Sequence, residues 1–119
     1  MENVLLLELD VTKTESITKA VEDAIAKFGG IDVVVNNAGY GATGPFELIA
    51  EENIQRQFDT NVFGPMRVMQ AILPHFRAKK SINARNQYTY RGGTFVNISS
   101  IGGRLTLPLY SVYHSTKWA

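Results

Sequence analysis

The sequence contains no cysteine. That excludes a disulfide scaffold, a thiolate metal site and a cysteine nucleophile, and it fits a reducing compartment. No apolar run approaches the ~20 residues that cross a bilayer. Met1 to Asp10 has neither the basic stretch nor the small-residue cleavage site of a signal peptide. The net charge is only +1, which removes any strong electrostatic pull toward nucleic acid or a membrane surface. The two histidines, His75 and His114, stand alone, with no second ligand at metal-binding spacing, so no metal is expected. Repeats and low-complexity tracts are absent too. The expectation is a soluble, cytoplasmic protein with no nucleic-acid and no membrane partner.

What is present is ordinary globular composition, 45% hydrophobic and 19% charged, over 119 residues. Val4 to Leu9 is an apolar run broken only by Glu8, and it reads as a buried strand of a parallel sheet. Thr12 and Glu15 form a capping-box pattern before a helix. Its apolar face carries Ile17, Ala20, Val21, Ala24, Ile25 and Phe28, and Gly29-Gly30 ends it. Ile31 to Val35 is a second strand, followed by a glycine-bearing loop from Asn36 to Pro45. A helical stretch from Glu51 to Phe76 is expected to bury Ile54, Phe58, Phe63, Met66, Met69, Ile72, Leu73 and Phe76. Gly64-Pro65 predicts a kink or break just after Asn61. Arg77 to Gly93 reads as a polar, basic surface loop, and its Lys79, Lys80, Arg85 and Arg91 as solvated charge rather than a nucleic-acid patch. Thr94 to Ile98 is a third strand, and a last helix begins near Ser111. This alternation predicts an α/β protein with a partial, Rossmann-type doubly wound parallel sheet of three strands with intervening helices. Such sheets bind ligands beyond the carboxyl ends of their strands. Asp10, Asn36 and Ser99-Ser100 all fall at such ends.

The chemistry concentrates in the last twenty residues. Tyr113 and Lys117 are four apart at the start of a helix, which puts them on one face with Cβ atoms roughly 6 Å apart. Free tyrosine ionises near pH 10, too high for proton exchange at neutrality. An adjacent ammonium stabilises the phenolate, and general acid–base help of this kind is typically worth about 10²–10⁴ in rate. Tyr-x-x-x-Lys by itself is a weak signal, matched by any surface i,i+4 pair. Ser100 strengthens it, because a strand-end hydroxyl facing the first turn of the next helix can hydrogen-bond the same substrate oxygen. Gly39-Tyr-Gly41-Ala-Thr-Gly44 is a literal G-x-G-x-x-G, but no helical periodicity opens inside it and no acidic strand end follows, so it is not a phosphate-binding turn.

Taken together these residues resemble the short-chain dehydrogenase/reductase family. Asn36-Asn37-Ala38-Gly39 resembles its NNAG motif, and Val96 to Gly102 the strand that delivers its active-site serine. Tyr113-His114-Ser115-Thr116-Lys117 matches its Tyr-x-x-x-Lys. Asp59-Thr60-Asn61-Val62 resembles the segment with its helix asparagine, and Leu9 to Thr12 the strand end at the adenine. The order is the family's, and the motifs span nearly the whole chain. The resemblance implies an alcohol/carbonyl oxidoreductase using NAD or NADP. It makes Tyr113 the general acid or base, and Lys117 the residue that lowers its pKa and holds the nicotinamide ribose. Ser100 then polarises the substrate carbonyl, and Asn61 holds a relay water. Ser99 is left structural. Asp10 and Val11 fall to the adenine, and Asn36, Ala38 and Gly39 to the adenosine ribose.

The sequence also departs from that pattern. The glycine-rich turn for the pyrophosphate precedes the family's third strand and is not among these residues, nor is the residue that selects NAD or NADP. The C-terminal elements of the substrate pocket are missing as well. The stretch from Ser81 to Gly92 exceeds the family's usual short link. Residues 1–119 therefore read as the central part of a dinucleotide-binding domain from a parent enzyme that the resemblance makes a homo-oligomer. The alternative is a non-catalytic remnant acting through protein contacts. Leu105 to Leu109 is mostly apolar and hints at a hydrophobic small-molecule substrate.

Overall fold

A computed structural model describes residues 3–82, 88–90 and 92–119, with only the backbone described for 80–82 and 88–90. Helix α1 (Thr14–Phe28) carries Glu15 in its first turn and Lys27 in its last, each matching the helix dipole. Gly29 closes it in the left-handed region (φ 78°), its N–H on Ile25 O. The expected capping box does not form. Thr12 N–H and Oγ1–H both donate to Asp10 Oδ1, at 2.9 and 2.7 Å, and Lys13 stands at the N-cap with no side-chain capping bond. The charge-assisted bond to that carboxylate holds the Thr12 side chain at the Asp10 turn instead of over the helix N–H groups.

Strand β1 (Val33–Asn36) pairs in parallel with a later strand, Thr94–Asn97. Between them run α2 (Glu51–Phe58), a π-helical turn over Asp59–Phe63, and α3 (Gly64–Ala78). Gly64 N–H reaches Asp59 O, five residues back. The expected kink is therefore a widened turn that includes Asn61, rather than a break after it. Arg77 to Gly93 is not wholly loop. Strands β2 (Lys80–Ile82) and β3 (Tyr88–Tyr90) form a short antiparallel ladder. Arg85 and Arg91 lie outside the described residues. The later parallel strand, Thr94–Asn97, is β4, and α4 (Ser111–Trp118) ends the chain.

Fold class agrees with expectation, but the sheet has two strands in this parallel pair, not three. Val4 to Leu9 joins no ladder among the described residues, with Leu6 93% exposed. The doubly wound order 3-2-1-4-5-6 explains this. If Val4–Leu9 is the third strand, the first and second would separate it from the fourth, β1, whereas the fourth and fifth are direct neighbours. The core is correspondingly small: Val11, Ile17, Val68, Ile72 and Phe76. Phe28, Phe63 and Met66, expected inside, are about half exposed, so Met66 is not helix core. Among the described residues no helix is long and apolar enough to cross a membrane.

Candidate active site

The register of the parallel pair sets the site. Asn36 lies opposite Asn97 at the carboxyl ends, and Asn36 Nδ2 donates to Asn97 Oδ1 at 2.8 Å. After β4 the chain turns at Ser100, which is half-buried. Its Oγ accepts from Gly102 N–H at 3.1 Å and so caps the 3₁₀ turn Ile101–Gly103. That cap folds Gly102 against α4. A side-chain carbon on Gly102 would lie 3.2 Å from Tyr113 Cε1 and 2.8 Å from His114 Cδ2. Ser100 is thus one residue removed from the edge of the Tyr113 ring.

Tyr113 and Lys117 share a face of α4, with Lys117 Nζ 5.9 Å from the Tyr113 ring centroid. Lys117 Nζ donates to Ile98 O at 3.1 Å, which draws the ammonium over the strand end. Asn61 is buried in the π turn. Its Oδ1 accepts from Tyr40 N–H (3.0 Å), and its Nδ2 donates to Tyr40 O (2.8 Å) and Thr116 Oγ1 (2.9 Å). The amide therefore fastens the loop after β1 to α4, leaving one lone pair on Oδ1. Thr116 Oγ1–H in turn donates to Tyr113 O at 2.7 Å.

Gly39 sits between these groups. A side-chain carbon there would meet Asn61 Oδ1 at 3.1 Å and Lys117 Nζ at 3.8 Å. A cavity of about 240 Å³ brings together Asn36, Ala38, Asn61, Asn97, Ser99 and Lys117. A second, of about 180 Å³, adds Val11 beside Asn36 and Ala38. Asp10 lines neither of these cavities. Its carboxyl is held below the usual 3.8 by the Thr12 hydroxyl first and the Thr12 N–H second, with Lys13 adding a smaller pull. No helix opens within Gly39 to Gly44; the next turn is the 3₁₀ segment Phe46–Leu48.

Sequence reasoning did not single out Thr116, Asn97 or Gln57. Gln57 is completely buried, and its Oε1 accepts from Ala42 N–H at 2.7 Å. The available signal was its position four residues before Asn61, on the same helix face. The two histidines serve the framework. His75 Nε2 accepts from Ile31 N–H (3.0 Å), and His114 Nδ1 from Leu107 N–H (3.3 Å). Lys79 donates to Ile31 O at 3.0 Å and pairs with Asp32.

Comparison with known proteins identifies the family. The family described as short chain dehydrogenase matches residues 1–119. An uncharacterized oxidoreductase of Schizosaccharomyces pombe is 46% identical over 119 residues, 100% of this chain and 46% of that protein. The 3-ketodihydrosphingosine reductase of Bacteroides thetaiotaomicron is 39% identical over 116 residues, 98% of this chain and 39% of that protein. Among solved structures, a short-chain dehydrogenase from Streptomyces avermitilis is 40% identical with a TM-score of 0.76, covering 95% of this chain and 38% of that one. ElxO with NADP bound is 32% identical with a TM-score of 0.83, covering 99% and 44%. The chain thus spans less than half the length of these relatives. Across the whole of its own length, it belongs to the short-chain dehydrogenase family.

Proposed function

We propose that these residues are the central part of an oxidoreductase that interconverts an alcohol and a ketone or aldehyde with NAD(H) or NADP(H). The observation that carries this is one helix face. It presents Tyr113 and Lys117 over the carboxyl ends of two parallel strands, with the Ser100 turn folded against the tyrosine ring.

The residues present suit such a dinucleotide. Bare backbone at Gly39 leaves a cradle that a side chain would fill. The adjoining cavity offers amides from Asn36 and Asn97 and the Lys117 ammonium, a donor set suited to ribose hydroxyls. Asn36, Ala38, Gly39, Tyr113 and Lys117 would hold it, with Asp10 and Val11 at the adenine end. A pyrophosphate turn is not among these residues. When bound, the nicotinamide supplies or accepts the hydride. The chain's own work is at the substrate oxygen. Ser100 Oγ holds that oxygen, and the Tyr113 hydroxyl gives it a proton in reduction or takes one in oxidation. Lys117 keeps positive charge beside the ring. The free lone pair of Asn61 Oδ1 offers a place for a relay water. Leu105, Leu107 and Leu109 are more than half exposed just before α4, which favours an apolar substrate. The relative named 3-ketodihydrosphingosine reductase points the same way.

A second reading, a remnant acting through protein contacts, is favoured by the exposed Phe63, Met66 and Trp118. Tyr113→Phe in the parent chain separates the two. The enzyme reading expects turnover to fall by about 10²-fold or more with dinucleotide binding retained. Unchanged turnover refutes it.

A further inference from the structure

We propose that Gln57 is a positioning residue for the reaction: its amide oxygen pins the Gly41–Ala42 backbone so that Gly41 forms a seat for the Tyr113 ring. This rests on the enzymatic reading above and extends it to a residue on α2, the helix before the Asn61 turn.

A glutamine with no exposed surface is unusual, because a buried amide loses its water and must recover both of its polar ends. Gln57 recovers only one. Oε1 takes Ala42 N–H at 2.7 Å, whereas Nε2 has no protein acceptor among the described residues. An apolar residue of the same shape would remove the orphaned donor while orphaning Ala42 N–H instead, so the two changes oppose one another in stability. Stability alone therefore gives little reason for an amide here. Geometry gives a better one.

The loop after β1 is held at two points from one helix face. Asn61 takes both backbone groups of Tyr40, and Gln57, one turn earlier, takes Ala42 N–H. Gly41 lies between those points. A side-chain carbon on it would come within 3.1 Å of Tyr113 Cδ2 and 3.3 Å of Cγ, so only bare backbone fits against the Cδ2 edge of the ring. Gly102 meets the same ring at its other edge, 3.2 Å from Cε1 by the same measure. The ring is thus gripped between two glycines, and each glycine is held by one side-chain oxygen: Gly102 by Ser100 Oγ and the Gly41 segment by Gln57 Oε1. Without the second hold, Tyr40 stays tied but Gly41 and Ala42 are free to lift. The phenol then gains room to swing away from Ser100.

The test uses the parent enzyme with Gln57→Met, which keeps volume and removes the acceptor, and Gln57→Glu, which restores an oxygen in the same place. A misplacement of about 1 Å near the reacting atoms can cost as much as 10²-fold. Gln57→Met is expected to lower kcat by at least about ten-fold per folded molecule, with KM for the dinucleotide within about three-fold. Gln57→Glu is expected to recover most of the kcat. Wild-type kcat in Gln57→Met overturns the proposal. So does a Gln57→Glu variant as impaired as Gln57→Met, or a loss that appears in the dinucleotide KM instead. If Gln57→Met does not fold, Gly41→Ala attacks the same contact from the loop side. It is expected to lower kcat similarly, and unchanged kcat there is equally fatal. A parent with no turnover at all sinks the enzymatic reading and this one with it; turnover that is indifferent to both positions sinks only this one.

Discussion

Gly64, just after the π turn that carries Asn61, packs against Val11, and its substitution by alanine tests that packing. Gly64 has ordinary helical angles (φ −54°, ψ −58°), so backbone strain does not enter. In an exposed helix the change would stabilise by about 1 kcal/mol. Here the new carbon would stand 2.8 Å from Val11 Cγ2 and 3.1 Å from Val11 Cβ. Carbon pairs are most comfortable at about 3.5–4.0 Å, so roughly 0.7 Å of movement is required. Val11 cannot provide it by rotation. It is β-branched and stiff at χ1, it is packed with Ile17, Val68, Ile72 and Phe76, and its neighbours are tied by the Thr12–Asp10 bonds. Overpacking of this kind costs about 1–3 kcal/mol, which outweighs the helix gain. A net loss of about 1–2 kcal/mol is expected for Gly64→Ala, read from urea unfolding of the parent chain followed by circular dichroism. In a Val11→Ala background the 2.8 Å contact with Cγ2 is gone and only the 3.1 Å approach to Cβ remains, so the same substitution costs less, a coupling of about 1 kcal/mol. Gly64→Ala proving no less stable than wild type, or losing the same amount with and without Val11, would refute this account of the packing.

Two further outcomes follow from the structure. Asp10 is depressed below 3.8 by its bonds from Thr12, so its contribution to stability is complete above that pH and disappears as the pH falls through the lower folded value. The stability difference between wild type and Asp10→Ala should therefore be flat above pH 3.8 and shrink only below it; a difference that shrinks already near neutrality contradicts the assignment. The 119 residues alone leave Val33, Val35, Val96 and Ile98 about half exposed on two short strands with open edges. They are expected to self-associate, to bind dinucleotide weakly and to turn over little or nothing, as checked by light scattering and calorimetric titration. A monodisperse chain with full turnover would refute this expectation.

The linear pattern carried the element order because that order depends on local periodicity. Apolar steps of three and four gave α1 and the α2–α3 stretch, and an apolar run rich in β-branched residues gave β1. The candidate site residues drew attention for a related reason. Asn36 and Ser100 stand at or just past strand ends, Tyr113 in the first turn of α4 and Lys117 one turn later on the same face, positions that short-range signals mark directly.

What the sequence determined alone was therefore the succession of α1, β1, the α2–α3 stretch, β4 and α4, and the family; it gave no sign of β2 and β3. Tertiary structure decided what the side chains touch. Thr12 turned to Asp10 rather than capping α1, Asn61 acquired Tyr40 and Thr116 as partners 21 and 55 residues away, and Gln57 was buried to hold Ala42. Tertiary pairing also decided that Val4–Leu9 stays outside the two-stranded sheet and that Phe63 and Met66 face outward. The physical reason is the same in each case. Periodicity reports which face of an element is apolar, but a hydrogen bond or a buried contact exists only once a second element, distant in sequence, comes to lie against it.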